Sequence, residues 1–228
     1  MALTKTDFMR GMQCPRMLWL DKHHPDWKII PPETQARLDA GNEFGDKAMG
    51  MFGPYEEMTA YIPNTHYPDK RKMVLNTKHH LQIGTKNICE AAFDYHGYYC
   101  AVDILHKVYG GYEMYEVKNA PEVKDQFIKD AGYQAYVLEK CGIPLTKVFI
   151  VYNNGDEEDP FEPVDVTEEA LRFSEVVDAN IERLSAVREQ RTEVYMEPGK
   201  QCCEPAFALT DKLFGTIFKL VSKGSCPL

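Results

Sequence analysis

Three charged side chains lie inside a stretch whose composition is otherwise typical of buried β-strands. Asp103 interrupts the apolar run Cys-Ala-Val-Asp-Ile-Leu, and Glu116 and Lys118 flank Val117. Alternate side chains of a strand share a face, so Glu116 and Lys118 are predicted to point the same way and Val117 the other way. Carboxylate and carbonyl oxygens are ligands suited to Mg²⁺ or Mn²⁺. We therefore predict a divalent-cation site formed by Asp103, Glu116 and the backbone carbonyl of Val117.

A lysine beside such a site adds chemistry that phosphodiester hydrolysis needs. Lys118 is placed to position or deprotonate a water, or to offset charge on a phosphorane-like transition state. The alternative is a solvated hairpin edge on which Glu116 and Lys118 simply alternate outward. The acid inside an apolar run, the glycine turn before Glu116 and the helix predicted after Lys118 favour a site.

The elements that must position these residues alternate between strands and helices. Turn signals at His96-Gly97 and Gly110-Gly111 divide the segment from Glu90 to Lys118 into three short strands. The other predicted elements are a helix from Glu33 to about Gly50, a short strand at 59–62 within an irregular connection, a basic helix within 69–82, a helix from Val123 to Lys140, a strand from Lys147 to Tyr152, and a helix from Glu168 to Arg191 capped by Thr167. This order predicts an α/β fold with a small central mixed β-sheet flanked by helices.

Bulk properties bound the class of protein. The chain has 228 residues, a formal net charge of −9 and seven cysteines. We expect one domain over 1–195, with an N-terminal helical extension, and a cysteine-containing tail over 196–228. No apolar run approaches the ~20 residues of a membrane helix, and the first residues lack a signal-peptide core, so the expected location is cytoplasmic and away from membranes.

The order of these residues resembles the RecB-like branch of the PD-(D/E)xK nuclease superfamily and is similar to the CRISPR-associated RecB-like exonucleases. Those proteins present a leading helix, a strand hairpin bearing Asp, a strand bearing Glu-x-Lys, and a helix with a glutamine and a tyrosine. The likeness covers about Gly41 to Tyr152. It implies a restriction-endonuclease-like core and a Mg²⁺- or Mn²⁺-dependent deoxyribonuclease acting as an exonuclease on single-stranded ends. Asp103 and Glu116 would bind the metal, and Lys118 would be the catalytic lysine.

The resemblance also suggests which residues support the catalytic core. Gln134 matches the family's glutamine, but Leu138 stands where the family has a tyrosine. Tyr136 is therefore the predicted orienting tyrosine, with Tyr133 also nearby.

The leading helix of the family often supplies a histidine four residues after a glycine. Gly45 occupies that position after Gly41 here. Glu90 and Glu43 are the candidates for a third metal ligand. The alternatives are a strand-end charge for Glu90 and a solvent-facing helix residue for Glu43. We also predict that the small residues Gly41 and Gly45 allow the helix to pack closely against the sheet.

Four cysteines resemble the iron–sulfur ligands of CRISPR-type relatives, which place one cysteine before the nuclease core and three after it. They are Cys14, Cys202, Cys203 and Cys226. Soft thiolates suit iron, although adjacent Cys202 and Cys203 are poorly spaced for chelation. The alternative is a set of free thiols. The remaining cysteines, Cys89, Cys100 and Cys141, have apolar neighbours typical of core packing.

The expected partner is DNA, single-stranded or with free ends. A basic segment containing Lys70, Arg71, Lys72 and Lys78 would contact phosphates, unless it is an ordinary solvated helix face. Trp19, Trp27 and several tyrosines have rings that could stack on unpaired bases, although such residues more often belong to the core. Because the chain has no Gly-rich phosphate loop, unwinding would require a helicase or another repair or recombination partner.

Two other functions fit the same sequence. A nuclease fold that has lost catalysis would act as a nucleic-acid-binding or scaffolding module. A small-molecule hydrolase using the same carboxylates would enclose them in a pocket, whereas a nuclease would present them in an open groove.

Overall fold

The structure, a computed structural model, describes residues 3–25 and 30–189. Within these ranges the strands are β1 (Leu3–Thr4), β2 (Glu56–Glu57), β3 (Asn87–Tyr95), β4 (Tyr98–Val108), β5 (Gly111–Lys118), β6 (Leu145–Asn153) and β7 (Phe161–Asp165). The helices are α1 (Lys5–Gln13), α2 (Pro15–His23), α3 (Pro32–Ala48), α4 (Lys70–Ile83), α5 (Asp125–Lys140) and α6 (Thr167–Glu189). The predicted α/β class with a mixed sheet and flanking helices is confirmed.

The strands form one sheet in the order β2-β3-β4-β5-β6-β7, and β1 pairs with β4. The pairs β3–β4, β4–β5 and β6–β7 are antiparallel, whereas β1–β4, β2–β3 and β5–β6 are parallel. The larger core lies between one face of the sheet and helices α1, α2, α5 and α6. A smaller core on the other face packs Phe44 and Ala48 of α3 against the strands.

Local sequence accounts for the turns and helix starts around the central strands. His96 and Gly97 both have positive φ, 53° and 91°, which suits the tight hairpin between β3 and β4. Thr4 caps α1 in a reciprocal capping box with Asp7, and Pro15 begins α2, as expected for a residue without a free N–H.

Some elements differ from the sequence-based expectations. A strand predicted at 59–62 is reduced to a single bridge between Tyr61 and Pro68, because three prolines in this connection limit ladder pairing. The acidic turn after β6 leads into β7, which the sequence did not indicate. Among the described residues, no helix combines the length and apolar character that crossing a membrane requires.

Candidate active site

The site lies where two neighbouring strands of the sheet part. The ladder between β4 and β5 ends at the pair Ile104–Tyr115, and β1 pairs with β4 only at Tyr98 and Tyr99. Within the described part of the chain, the edge of β4 between these two pairings has no strand partner over residues 100–103. Asp103 is the last residue of this unpaired segment. Its Oδ2 atom accepts a hydrogen bond from the backbone N–H of Val117 at 2.6 Å.

A second irregularity places Glu90 opposite Asp103. Cys89 belongs to the smaller core and Ala91 to the larger core, although a regular strand would put both on one face. The change of face occurs at Glu90, whose φ of +52° is left-handed and unusual for a residue with a side chain. On β4 the same change falls between Val102 and Ile104. This paired irregularity explains why two acids stand in otherwise apolar strands.

Glu116 is the most highly connected acid of the site. It is 1% exposed, and its Oε1 atom accepts from Nζ of Lys5 at 2.5 Å and from Nζ of Lys118 at 2.7 Å. Its Oε2 atom accepts from the side-chain amide of Gln134, on α5. Lys118 also contacts Asp130 Oδ2 at 2.9 Å. The contact between Lys118 and Glu116 agrees with the prediction that these two side chains share a face.

The charges around Glu116 keep it ionised. Burial favours its neutral form, but the ammonium groups of Lys118 and Lys5 outweigh burial and lower the pKa of Glu116 to about 2. Burial would also lower the pKa of Lys118, but Glu116 and Asp130 outweigh it and the pKa is raised. Lys118 is therefore an ammonium at neutral pH, suited to balancing negative charge.

The pKa values of the other two acids, Asp103 and Glu90, are raised into the neutral range. Burial, followed by repulsion from Glu116, raises the pKa of Asp103 from 3.8 to about 7. Burial and the charges of Asp103 and Glu116 raise the pKa of Glu90 from 4.5 to about 8. Perturbed acids that interact within one cleft are typical of functional sites.

Glu90, Asp103 and Glu116 line one cleft of about 960 Å³. Gly41 and Gly45 of α3 line its opposite wall, and a Cβ atom at either position would meet nothing within 4 Å. The prediction that these glycines allow close packing against the sheet is therefore wrong, since they face the cleft. Their missing side chains leave its volume free.

The outer part of the cleft is exposed and carries aromatic and basic side chains. Tyr55 and Tyr61 line it and are 42% and 58% exposed. Arg37 and Leu38, on exposed positions of α3, lie on the same cleft. The acids are thus reached from solvent past a rim able to contact a planar, negatively charged ligand.

The donor set of the cleft fits Mg²⁺ or Mn²⁺. Among the described residues, no group of three or more His, Cys, Asp or Glu side chains is arranged to hold a metal ion. Mg²⁺, however, is commonly bound through one or two carboxylates together with waters and substrate phosphates. The N–H and C=O of one strand residue point to the same edge, so the carbonyl of Val117 is expected to face the gap that contains Asp103. Oε1 of Gln134 is buried and has no hydrogen-bond partner among the described residues, as expected beside a site that takes a further donor.

Two predicted supporting residues lie elsewhere. Tyr136 is two residues beyond Gln134, and a helix turns through about 200° over that interval, so Tyr136 points away from Glu116. Its hydroxyl lies near Asp178, and it does not line the cleft. Glu43 forms an ion pair with Lys47 on the exposed side of α3. This agrees with the interpretation of Glu43 as a solvent-facing helix residue and not with its role as a third metal ligand.

The predicted DNA-binding residues do not line this cleft. Lys70, Arg71, Lys72 and Lys78 are exposed on α4, which packs against β3 through the Thr77 hydroxyl and the N–H of Ala92. Trp19 is 7% exposed and belongs to the core, whereas Trp27 lies outside the described residues.

The cysteine prediction is mostly outside the described residues. Cys14 is buried at the start of α2, whereas Cys202, Cys203 and Cys226 lie beyond residue 189. An iron–sulfur cluster therefore stays a prediction. The three remaining cysteines are free thiols, and two of them, Cys89 and Cys100, are fully buried.

Lys5 and Asp130 were missed by the sequence analysis. Lys5 lies 111 positions before Glu116, and its approach depends on β1, which has only two residues. Asp130 lies four residues before Gln134 on α5, so the helical repeat that aligns i with i+4 was the available signal for it.

Comparison with known proteins found no family model that matches this sequence and no curated protein that matches it. The resemblance to RecB-like nucleases therefore depends on the residues and order of the site alone.

Proposed function

We propose that the protein is a metal-dependent nuclease that hydrolyses DNA phosphodiester bonds, acting as an exonuclease on single-stranded ends. One observation carries the proposal: the parting of β4 and β5 brings Asp103, Glu116 and Lys118 to a single solvent-reached cleft. Acidic oxygens and a charged lysine in one groove are the groups that metal-assisted phosphoryl transfer requires.

Each residue has a role that follows from its contacts. Asp103, Glu116 and the Val117 carbonyl would hold the Mg²⁺ or Mn²⁺, with Glu90 as an additional acid on the cleft wall. A bound cation of this kind supplies a Lewis acid and an activated water. Lys118, held as an ammonium by Glu116 and Asp130, would stabilise the negative charge that develops on the phosphoryl oxygens.

Gln134 acts through Glu116. Its amide donates to Oε2 of Glu116, while Lys118 occupies Oε1, so the carboxylate is fixed in orientation. Such supporting hydrogen bonds keep a ligand in the geometry that its metal requires. Gln134 is thus a positioning residue.

The rim supports a polynucleotide as the ligand. Exposed Tyr55 and Tyr61 offer faces for unpaired bases, and Arg37 offers a cation for phosphate. Exposed residues on both walls fit an open groove better than the enclosed pocket expected of a small-molecule hydrolase. We assign the activity to the cytoplasm, with a helicase or another repair partner supplying unwound ends.

Cleavage of end-labelled single-stranded DNA with Mn²⁺ or Mg²⁺ tests the proposal. We expect the wild-type chain to shorten the strand and Lys118→Ala to lose most of that activity. Lys47→Ala is the matched control, because Lys47 pairs with Glu43 on an exposed helix face. A circular single strand, which has no end, should resist cleavage.

A wild-type chain that binds DNA but is inert with every divalent metal would overturn the nuclease proposal. That result would support the alternative, a catalytically degenerate module that binds nucleic acid or acts as a scaffold. Cleavage of the circular strand would instead show an endonuclease.

A further inference from the structure

Lys5 enters the site from a separate part of the sheet. Leu3 donates its N–H to the carbonyl of Gly97 at 2.8 Å and accepts from the Tyr133 hydroxyl at 2.6 Å. Thr4 then caps α1, and Lys5 is the first residue of that helix. The backbone of Lys5 is therefore fixed by the larger core, while its side chain reaches Glu116.

The two lysines at Glu116 are not held equally. Nζ of Lys118 contacts both Glu116 Oε1 at 2.7 Å and Asp130 Oδ2 at 2.9 Å. Among the described residues, Glu116 is the only acid in ion-pair contact with Lys5, at 2.5 Å. Lys118 thus has two carboxylates to hold it in place, whereas Lys5 has one.

Lys5 also has space into which its side chain can move. It lines the acidic cleft and, in addition, a second cavity of about 560 Å³ between α1 and α5. Its side chain is 24% exposed, against 2% for that of Glu116. A four-carbon stem at a boundary between two cavities permits the ammonium to leave Glu116 without unfolding α1.

We propose that Lys5 is a resident counterion of Glu116 that a divalent cation displaces into the second cavity. A buried carboxylate needs a positive partner, so Lys5 stabilises the site before metal binds. A cation held by Glu116 would have to bind the same carboxylate, so the Lys5 ammonium on Oε1 would compete with it. This inference depends on the proposed function, because it takes these carboxylates as the metal site.

Mn²⁺ binding by the full chain tests the displacement, measured by calorimetry and by the electron paramagnetic resonance of free Mn²⁺. Lys5→Met keeps the stem and removes the charge, so it should bind Mn²⁺ about tenfold more tightly or better than wild type. Lys129→Met is the matched control, because Lys129 lines the second cavity but pairs with Asp125. It removes the same charge and should change the affinity little.

Two results would overturn the inference while leaving the proposed function intact. One is that Lys5→Met binds Mn²⁺ no more tightly than wild type, although Glu116→Gln abolishes binding. The other is that Lys129→Met tightens binding as much as Lys5→Met. If no variant shows Mn²⁺ binding that depends on Glu116, the proposed metal site and the inference both fail.

A labelling experiment on the wild-type chain is independent of whether Lys5→Met folds. An amine-reactive reagent followed by mass spectrometry reports how accessible each lysine is. Saturating Mn²⁺ should increase the labelling of Lys5 severalfold and leave that of exposed Lys47 unchanged. Labelling of Lys5 that stays constant or falls with Mn²⁺ would show that the ammonium is not displaced.

Discussion

The carboxylate of Asp103 accepts the backbone N–H of Val117 at 2.6 Å, just beyond the last backbone pair between β4 and β5. A side chain thus takes over a hydrogen bond that a strand would otherwise provide. The same hydrogen bond holds the Asp103 carboxylate where β4 and β5 separate. The interruption of the sheet therefore also supplies one of the acids of the site.

Asp103→Asn separates the charge of this residue from its hydrogen bond. The amide oxygen can still accept from Val117, but the ligand charge is lost, so we expect Mn²⁺-dependent cleavage to fall by roughly 100-fold or more. Because burial raises the pKa of Asp103 from 3.8 to about 7, the protein loses stability as the pH rises between these values, and at pH 8 the ionised carboxylate is a net cost to folding. Asp103→Asn should therefore melt no lower than wild type at pH 8 in chelator.

Asp103→Ala is the comparison for that variant. It removes the acceptor as well and leaves the Val117 N–H unpaired, at a cost of about 1–3 kcal/mol. Thermal melting and cleavage, measured on both variants, give the outcome. If Asp103→Asn retained full activity, Asp103 would not be a metal ligand.

Glu90 gives the stability of the metal-free protein a specific pH dependence. Its pKa rises from 4.5 to about 8 on folding, so between these values the folded state binds more protons than the unfolded state. The free energy of unfolding should therefore decrease as the pH rises from about 5.5 to 8.5. Glu90→Gln removes this titration and should be more stable than wild type at the upper pH by about 1 kcal/mol or more.

Urea unfolding at both pH values in chelator measures this difference. Glu116 does not interfere, because its pKa is lowered to about 2 and its contribution is complete above its ordinary value of 4.5. The raised pKa of Asp103 also lowers the free energy of unfolding as the pH rises. In Glu90→Gln the dependence of this free energy on pH should therefore be weaker than in wild type, but not absent. An equal slope in wild type and Glu90→Gln would contradict the raised pKa.

Much of the core of the site was predictable from local sequence. The turns at His96-Gly97 and Gly110-Gly111 define the strands that carry Asp103 and Glu116, and strand alternation predicts the shared face of Glu116 and Lys118. These features depend on the preferences of a few neighbouring residues, which a single sequence records.

The rest of the site depends on tertiary contacts that no local pattern records. Lys5 reaches Glu116 because β1 joins the same sheet, and two residues of strand give no periodic signal. Tyr136 was expected near Glu116, yet its position on α5 turns it toward Asp178. The direction that Gly41 faces also depends on where α3 crosses the sheet.

The glycines of the helices offer a contrast between open and crowded positions. A Cβ atom at Gly41 or Gly45 meets nothing within 4 Å, whereas at Gly132 it would lie 2.8 Å from the carbonyl oxygen of Ala170. Gly45→Ala should therefore stabilise α3 by about 0.5–1 kcal/mol, the usual gain in a helix interior. Gly132→Ala should destabilise the contact between α5 and α6.

Larger side chains at the open glycines test whether the cleft takes the substrate. Gly41→Leu and Gly45→Leu extend a side chain into the cleft from Cβ positions that meet nothing within 4 Å, so we expect the melting temperature to be kept and DNA cleavage to fall about tenfold or more. Melting temperature and cleavage rate are measured together on each variant. Full activity in both leucine variants would show that the substrate does not pass this wall.

Tyr55 and Tyr61 line the acidic cleft. Tyr67, which lies with Tyr61 on the connection between β2 and α4, does not line it, although it is 73% exposed. Stacking of one base on an aromatic side chain is worth about 1–3 kcal/mol. Tyr61→Ala should therefore weaken binding of a labelled single strand about fivefold or more, measured by fluorescence anisotropy in a Lys118→Ala background that does not cleave. Tyr61→Phe keeps the ring and should bind nearly as well as the parent, and Tyr67→Ala should leave binding unchanged. Equal losses in Tyr61→Ala and Tyr67→Ala would mean that the strand follows another surface.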